Sequence, residues 1–421
     1  MLGLYGRILH VDLTESTSWE EELDEDLLQT CLGGKGLGTH LLRREVDPTV
    51  NPLGPDNCFI LTTGPATTEL VPGGARFGAY ALSPLTGGYA ESYAGGSFGP
   101  ALKRTGYDAV ILRGEAPRAV AVVILPGGAR FLEARDLWGR DALSAEEELL
   151  ARGGLPDARA LAIGPAGENL VRFACINTEK WRQLGRTGLG AVLGAKRVKG
   201  ILADGDRVPR YADPSGLRQW RAELTAAGRE NPSVQSYRKY GTPATVALTN
   251  EARCFPTRYW RRGQLENWPN IAAKRFLQVC DVRSDTCPGC FMACGKLATV
   301  REGPQRGLTI GGPEYETIYA FGGLCEIDDI PSIMRLNYVC DALGLDTISA
   351  GNAVGFAMEA HHLGNLPHEI HYGDVDGAEQ LLRLTAHREG IGELFAEGTA
   401  RAASELRLDD LAIHVKGMEP A

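Results

Sequence analysis

The first half of the chain alternates short apolar runs with turn formers. "GRILHVDL" (6–13), "NCFILTTG" (57–64), "RFGAYALS" (76–83), "DAVILRG" (108–114) and "AVAVVILPGGARFLEA" (119–134) are rich in β-formers and punctuated by Gly, Pro, Asn and Asp. The pattern predicts short strands up to about residue 210. One helix is expected to close this half, over "GLGAVLGAKRVKG" from Gly188 to Gly200.

From about residue 211 the apolar positions move to helical spacing. In "ADPSGLRQWRAELTAAG", Asp213 is placed to cap a helix with Pro214 at its first position. "DIPSIMRLNYVCDALG" sets Ile333, Leu336, Cys340 and Leu343 on one face, and Gly344 is a natural stop. "DTISAGNAVGFAMEAHHLG" and "GAEQLLRLTAHREG" continue the pattern. The fold class expected is therefore α+β: residues 1–210 a β-rich domain, residues 211–421 a mainly α-helical one. The final "LAIHVKGMEPA" reads as an apolar strand entering a turn, which leads one to expect further structure beyond it. No internal repeat or low-complexity stretch is visible.

Composition narrows the function classes. A chain of 421 residues, 43% hydrophobic and 23% charged, has the make-up of a soluble globular protein with ample core. The net charge of −9 argues against a general nucleic-acid binder. No signal-peptide pattern opens the chain, and the longest apolar run, Ala119–Leu125, is far too short to span a membrane, so a cytoplasmic protein is expected. The 53 glycines imply many tight turns or close backbone approaches.

Of the ten cysteines, seven lie scattered in apolar surroundings and read as small core residues. The other three, Cys287, Cys290 and Cys294, stand in a C-x2-C-x3-C spacing within "CPGCFMACGK". Thiolates are soft ligands for iron, and one loop with this spacing can wrap three corners of a cubane cluster. A zinc site with a distant fourth ligand and a redox C-x-x-C remain alternatives.

Five other stretches invite a chemical reading. Residues 71–114 are dense in Gly around a lone Arg76, which suits a planar ligand lying on backbone with an anion at the guanidinium, or equally a run of hairpin turns. In "NTEKWRQLGRTGLGAVLGAKRVKG", Gly185, Gly188 and Gly190 precede a helix and could offer N–H groups to phosphate, or could simply allow close packing. "GGKGLG" (33–38) matches neither a Walker A loop nor a dinucleotide fingerprint. In "CDALGLDT", Asp341 and Asp346 are either helix-end polar residues or acceptors for the N–H edge of a heterocycle. In "GGPEYETIYAFGG", Glu314 and Glu316 lie among apolar and aromatic residues. Each is either a carboxylate with a raised pKa or a first-turn acid after Pro313.

Together, "GRILHVDL", "GGKGLG", the whole of 64–114, "GRTGLGAVLGAKRVKG", "CPGCFMACGK", "GPEYET" and "LGLDTISAG" resemble, in order, the aldehyde ferredoxin oxidoreductase family of tungsten or molybdenum bis-pterin enzymes. The resemblance covers essentially the whole chain. It implies a β base carrying two pterins and helical domains that supply the cluster cysteines. It implies that Arg76 sits between pterin and cluster. Gly95 and Gly96, with Arg182, Gly185 and Arg186, would hold the pterin phosphates through a magnesium ion. Asp341, Asp346 and Thr347 would belong to a pterin-binding D-x-x-G-L-D motif, Cys287, Cys290 and Cys294 would ligate a [4Fe-4S] cluster, and Glu314 would be the acid near the metal. The implied reaction is aldehyde oxidation to a carboxylic acid, with electrons leaving to a ferredoxin-like carrier.

The sequence also departs from the family pattern. Family members run on by about a domain, and in them that domain carries the fourth cluster cysteine, a second aspartate motif and a histidine. The expectation is that a third domain is absent here and that the chain alone is aggregation-prone. Tyr93 stands where an Asn near magnesium is expected, and "RLNY" (335–338) replaces the E-x-x-H of an interface iron site, so no such iron is expected. Two other readings stand beside the aldehyde oxidoreductase. One is the catalytic subunit of a related reductase such as benzoyl-CoA reductase. The other is a truncated, non-catalytic remnant, or a chain completed by a homodimer partner or a separate polypeptide.

Overall fold

A computed structural model describes residues 2–421. It has the α+β class expected, with two six-stranded sheets in the first half and mostly helices in the second. The chain divides into two compact units: Met1–Gly228 together with Cys287–Phe291, and Arg229–Thr286 together with Met292–Ala421.

The first unit holds both large sheets. Strands β1 (Arg7–Asp12), β2 (Thr17–Glu22), β3 (Phe59–Thr62), β4 (Phe77–Leu82), β5 (Tyr89–Ala94) and β6 (Ala109–Arg113) form a sheet in the order β2-β1-β6-β3-β4-β5. Only β1 and β6 run parallel within it. Strands β7 (Val120–Leu125), β8 (Gly128–Glu133), β9 (Arg159–Ala162), β10 (Ile176–Thr178), β11 (Arg182–Leu184) and β12 (Val198–Ala203) form the second, in the order β11-β10-β9-β12-β7-β8. Their central strands are buried on both faces, so they read as continuous apolar runs rather than alternating ones. One core joins the facing sides of both sheets through Leu9, Phe77, Val110, Val122, Leu161 and Ile201.

The helix expected over Gly188–Gly200 is shorter. It spans Leu189–Ala195, and the chain then enters β12 at Val198, burying Lys199 against Glu168. The glycines around it serve packing. A side chain at Gly188 would meet the Arg172 carbonyl at 2.1 Å, and one at Gly190 the Cys175 carbonyl at 2.3 Å. The Gly190 N–H already donates to Ala174 O, so it is not free for phosphate. "GGKGLG" likewise opens a helix, Gly34–Glu45, whose Gly38 lies against the ring of Tyr80.

The second unit is helical, as expected, with one addition. Strands β13 (Cys280–Asp285), β14 (Gly295–Val300) and β15 (Thr309–Gly311) form an antiparallel sheet that the helical pattern did not announce. Helix Ile330–Leu343 starts on Asp329, whose carboxylate accepts the Ser332 N–H, and ends at Gly344 in the left-handed conformation. Helices Thr347–His362 and Val375–His387 follow. The expected C-terminal strand does not form: Val415 makes one isolated bridge to Met418 and is exposed. Five of the seven scattered cysteines are buried; Cys31 is half-buried and Cys254 exposed. No helix among the described residues is long and apolar enough to cross a membrane.

Candidate functional site

In the first unit, residues far apart in sequence converge on one turn. Strand β5 ends at Ala94, and Gly95–Gly96–Ser97 turn the chain into the short helix Phe98–Arg104. The Gly96 N–H donates to Cys287 Sγ at 3.3 Å. A Cβ at Gly95 would lie 2.7 Å from the same sulfur and 3.9 Å from Arg182 Nη1. Gly96 has φ +90°, and a Cβ there would meet Glu179 Oε1 at 2.6 Å and Arg182 Cδ at 2.8 Å. Both glycines are thus demanded by close approach, and Gly96 by its backbone as well.

Cys287 is brought here by its own loop. Gly289, at φ +74°, packs so tightly on the Glu69 carbonyl that any side chain would collide at 2.1 Å. Phe291 lies against Gly228 of helix Pro214–Glu230, and Cys290 N–H closes the turn onto Cys287 O at 3.1 Å. These contacts explain why Cys287–Phe291 groups with the first unit.

Arg76 comes to the same neighbourhood through its backbone: Gly99 lies against Arg76 C and O, and Thr67 Oγ1 donates to Arg76 O. It is exposed and, among the described residues, makes no ion pair, so its guanidinium is free to meet an anion. Arg182 stands on β11, and Gly185 and Arg186 in the half-buried link that leads to helix Leu189–Ala195.

Sequence reading missed a carboxylate at the centre of this site. Glu179 accepts the N–H groups of Ser97 and of Phe98, the latter at 3.1 Å. The donors at that helix start are therefore already satisfied from within the chain. Glu179 and Lys180 form the β10–β11 hairpin turn, both with positive φ, and their N–H groups donate to Glu146 at 2.6 and 2.8 Å. Glu146 is buried in helix Ala142–Gly153, and burial pushes its carboxyl up to about 7. No sequence motif marks either acid; only the hairpin geometry pairs them.

Tyr93, where an Asn was expected, points to solvent from β5 and donates to Glu91 at 2.7 Å. The same carboxylate accepts Tyr89 OH at 3.1 Å and pairs with Lys35 at 2.7 Å.

In the second unit, Cys294 stands immediately before β14. Lys296 is buried beside it, its ammonium donating to the carbonyls of Ala293 and Cys294, each at 2.8 Å. Burial lowers the pKa of this lysine. Among the described residues, no three His, Cys, Asp or Glu side chains are gathered closely enough to hold a metal ion, and the cysteine trio is no exception. The donor chemistry still fits a soft metal or cluster: three thiols within eight residues, with an N–H aimed at one sulfur.

Glu314 differs from expectation. It is exposed rather than enclosed among apolar side chains, because it is the residue before the short helix Tyr315–Thr317 and projects from the helix start. Its carboxylate accepts the Thr242 hydroxyl, while Thr242 Oγ1 accepts the Tyr315 N–H at 2.9 Å. A π-helical stretch, Ile318–Gly323, follows directly. Asp341 is fully buried, its carboxyl pushed well above the usual carboxylate range by desolvation, with Asn337 donating at 2.8 Å. Asp346 is the N-cap of helix Thr347–His362, accepting the N–H groups of Ile348 and Ser349 at 3.1 and 3.3 Å. Thr347 Oγ1 meets Thr317 Oγ1 at 2.9 Å.

Known proteins resemble this chain along essentially its whole length. A family profile for the N-terminal domain of aldehyde ferredoxin oxidoreductase matches residues 8–205, and one for its domains 2 and 3 matches residues 219–421. The chain is 35% identical over 431 residues to a tungsten-containing aldehyde ferredoxin oxidoreductase of Pyrococcus furiosus, covering 100% of this chain and 70% of that one. It is 34% identical over 427 residues to the protein of the same description from Thermococcus kodakarensis, with the same coverage of each. Among solved structures, a chain of the active-site complex BamBC of benzoyl coenzyme A reductase, in complex with 1,5-dienoyl-CoA, superposes with a TM-score of 0.87. Their sequences are 26% identical, and the match spans 99% of this chain and 66% of that one.

Proposed function

The chain belongs to the aldehyde ferredoxin oxidoreductase family, and from that premise we propose that it is the cofactor-bearing part of a tungsten or molybdenum bis-pterin oxidoreductase. The reaction proposed is aldehyde plus water to carboxylic acid, releasing two protons and two electrons, the electrons passing through a [4Fe-4S] cluster to a ferredoxin-like carrier. The observation that carries this reading is the convergence of Cys287, Gly95, Gly96 and Arg182 on one turn.

When bound, the metal–pterin group supplies the two-electron chemistry, and the protein's task is to bind and orient it. The residues offered for that task follow from the geometry. Cys287, Cys290 and Cys294 would hold the cluster. The unpaired guanidinium of Arg76, with Arg182, Gly185 and Arg186, would meet phosphate or magnesium-bound phosphate. Asp341, buried and hydrogen-bonded by Asn337, would accept from the N–H edge of a heterocycle. Asp346 is spent on its cap, so its contribution would be to hold Thr347 and the helix start in place. Glu314, exposed and hydrogen-bonded by Thr242, is the carboxylate proposed to move the proton.

A second reading is favoured by one observation, the TM-score of 0.87 to the benzoyl coenzyme A reductase complex. On that reading the same site passes two electrons from a reduced carrier, with two protons, to the aromatic ring of an aryl-CoA thioester, giving a dienoyl-CoA, and works with a further subunit.

The deciding experiment is elemental analysis of anaerobically purified chain, followed by viologen-linked assays. About one tungsten or molybdenum and about four irons per chain, with aldehyde-dependent dye reduction, support the first reading. Reduction of an aryl-CoA without aldehyde oxidation supports the second. A folded chain that takes up neither tungsten, molybdenum nor iron refutes both.

A further inference from the structure

We propose that Glu146 and Glu179 act in series as positioning residues for Cys287. Glu146 fixes the Glu179–Lys180 hairpin turn, Glu179 fixes the Gly95–Gly96–Ser97 turn, and that turn aims the Gly96 N–H at the thiol. The inference deepens the proposed function, in that it assumes Cys287 is a cluster ligand, but its geometry stands independently of any bound group.

Three features argue for it. First, Glu146 is buried, 3% exposed, yet makes no ion pair among the described residues; both its oxygens are committed to the two N–H groups of one hairpin turn. A carboxylate taken out of water is costly, and here its return is the conformation of two residues. Second, that turn is one that side chains resist. Glu179 and Lys180 have φ +49° and +62°, where non-glycine residues are uncommon. Two hydrogen bonds to the Glu146 carboxyl hold it. Third, the turn delivers Glu179 to the two N–H groups that directly follow the Gly96 N–H. With Ser97 and Phe98 pinned, Gly96 at φ +90° has little freedom left, and its N–H points at Cys287 Sγ. Hydrogen bonds to a cluster's sulfurs are one of the levers that set its reduction potential. The chain Glu146, Glu179, Gly96 would therefore set the potential at Cys287 from two residues removed.

The test needs no bound metal for its first arm. Hydrogen–deuterium exchange of the chain is compared with that of Glu146→Gln, Glu179→Ala and Glu179→Gln. A glutamine at 146 keeps one acceptor and sets an amide N–H2 against the other N–H. A glutamine at 179 keeps the single oxygen that serves both Ser97 and Phe98. The expected result is about tenfold or greater loss of protection at Gly96, Ser97 and Phe98 in Glu146→Gln and Glu179→Ala. Glu179→Gln should stay close to the parent, and strand β12 should be unchanged in all three. Unaltered exchange at 96–98, or an equal rise in β12 that signals general loosening, overturns the proposal. In the second arm, after anaerobic loading with iron and sulfide, the cluster's midpoint potential should fall in the first two variants and recover in Glu179→Gln. An unmoved potential also overturns it. Failure of the parent chain to take up iron would instead count against the cluster reading, and the exchange data would still decide the relay.

Discussion

Replacing Gly95 by Ala should cost about 1–3 kcal/mol of stability and most of the iron. The residue does not need the left-handed region, so the added methyl brings no backbone strain. It brings a collision: the new Cβ would lie 2.7 Å from Cys287 Sγ, where non-bonded atoms settle at about 3.5–4.0 Å. The sulfur must therefore retreat by roughly 1 Å. Among the described residues the other close neighbour, Arg182 Nη1 at 3.9 Å, is at ordinary contact. Cys287 is half-buried, so rotating the thiol away is cheap, and overpacking of this kind costs about 1–3 kcal/mol. That corresponds to about 2–4 °C in Tm for each kcal/mol in a unit of this size. The Gly96 N–H contact, already at 3.3 Å, opens beyond hydrogen-bond reach, and the sulfur leaves the position from which it would meet a cluster. The assay is iron content of anaerobically purified Gly95→Ala beside the parent, with Tm measured on the same samples. A variant with the parent's full iron complement and Tm would refute the argument, because it would show that Cys287 does not rest against the Gly95 turn.

Three further outcomes are expected. Arg76→Ala should leave stability within about 0.5 kcal/mol of the parent, since the exposed guanidinium has no ion pair among the described residues to lose, while tungsten or molybdenum content falls; a parent-like metal content would remove Arg76 from the site. Asp346→Ala should destabilise by about 1–2 kcal/mol in denaturant melts and Asp346→Asn by much less, because the carboxylate serves as a helix cap; equal losses in both would point to a role for its charge. For Glu146, the folded pKa of about 7 lies above its ordinary value of 4.5, so the folded state binds the proton more tightly. Its contribution is fully present below the ordinary value and is lost as pH rises through about 7. The loss is about 3 kcal/mol by linkage, and Glu146→Gln should flatten stability between those limits. Denaturant midpoints of parent and variant across that range, if they run parallel, would sink this.

What the sequence determined by itself is what local physics can encode. Apolar runs between turn residues announced β1, β3, β4, β6, β7 and β8, because a strand is a short-range pattern of β-formers. The Asp329 and Asp213 caps and the Gly344 stop were legible because capping is settled within four residues. The cysteine trio announced soft-ligand chemistry by spacing alone, and the ordered motifs announced the family. The tertiary structure decided the rest. It assigned Gly188 and Gly190 to packing rather than to phosphate, because only the fold brings Arg172 and Cys175 carbonyls against them. It ended the helix at Ala195 and buried Lys199 in a strand, since Glu168 supplies a partner 31 residues away. It exposed Glu314, which the apolar letters around it had seemed to enclose. And it set Glu146 behind Glu179 and Glu179 beneath Gly96, contacts spanning 33 and about 80 residues that no local pattern records. A carboxylate's role depends on which N–H groups it meets, and across such separations only the folded chain determines that.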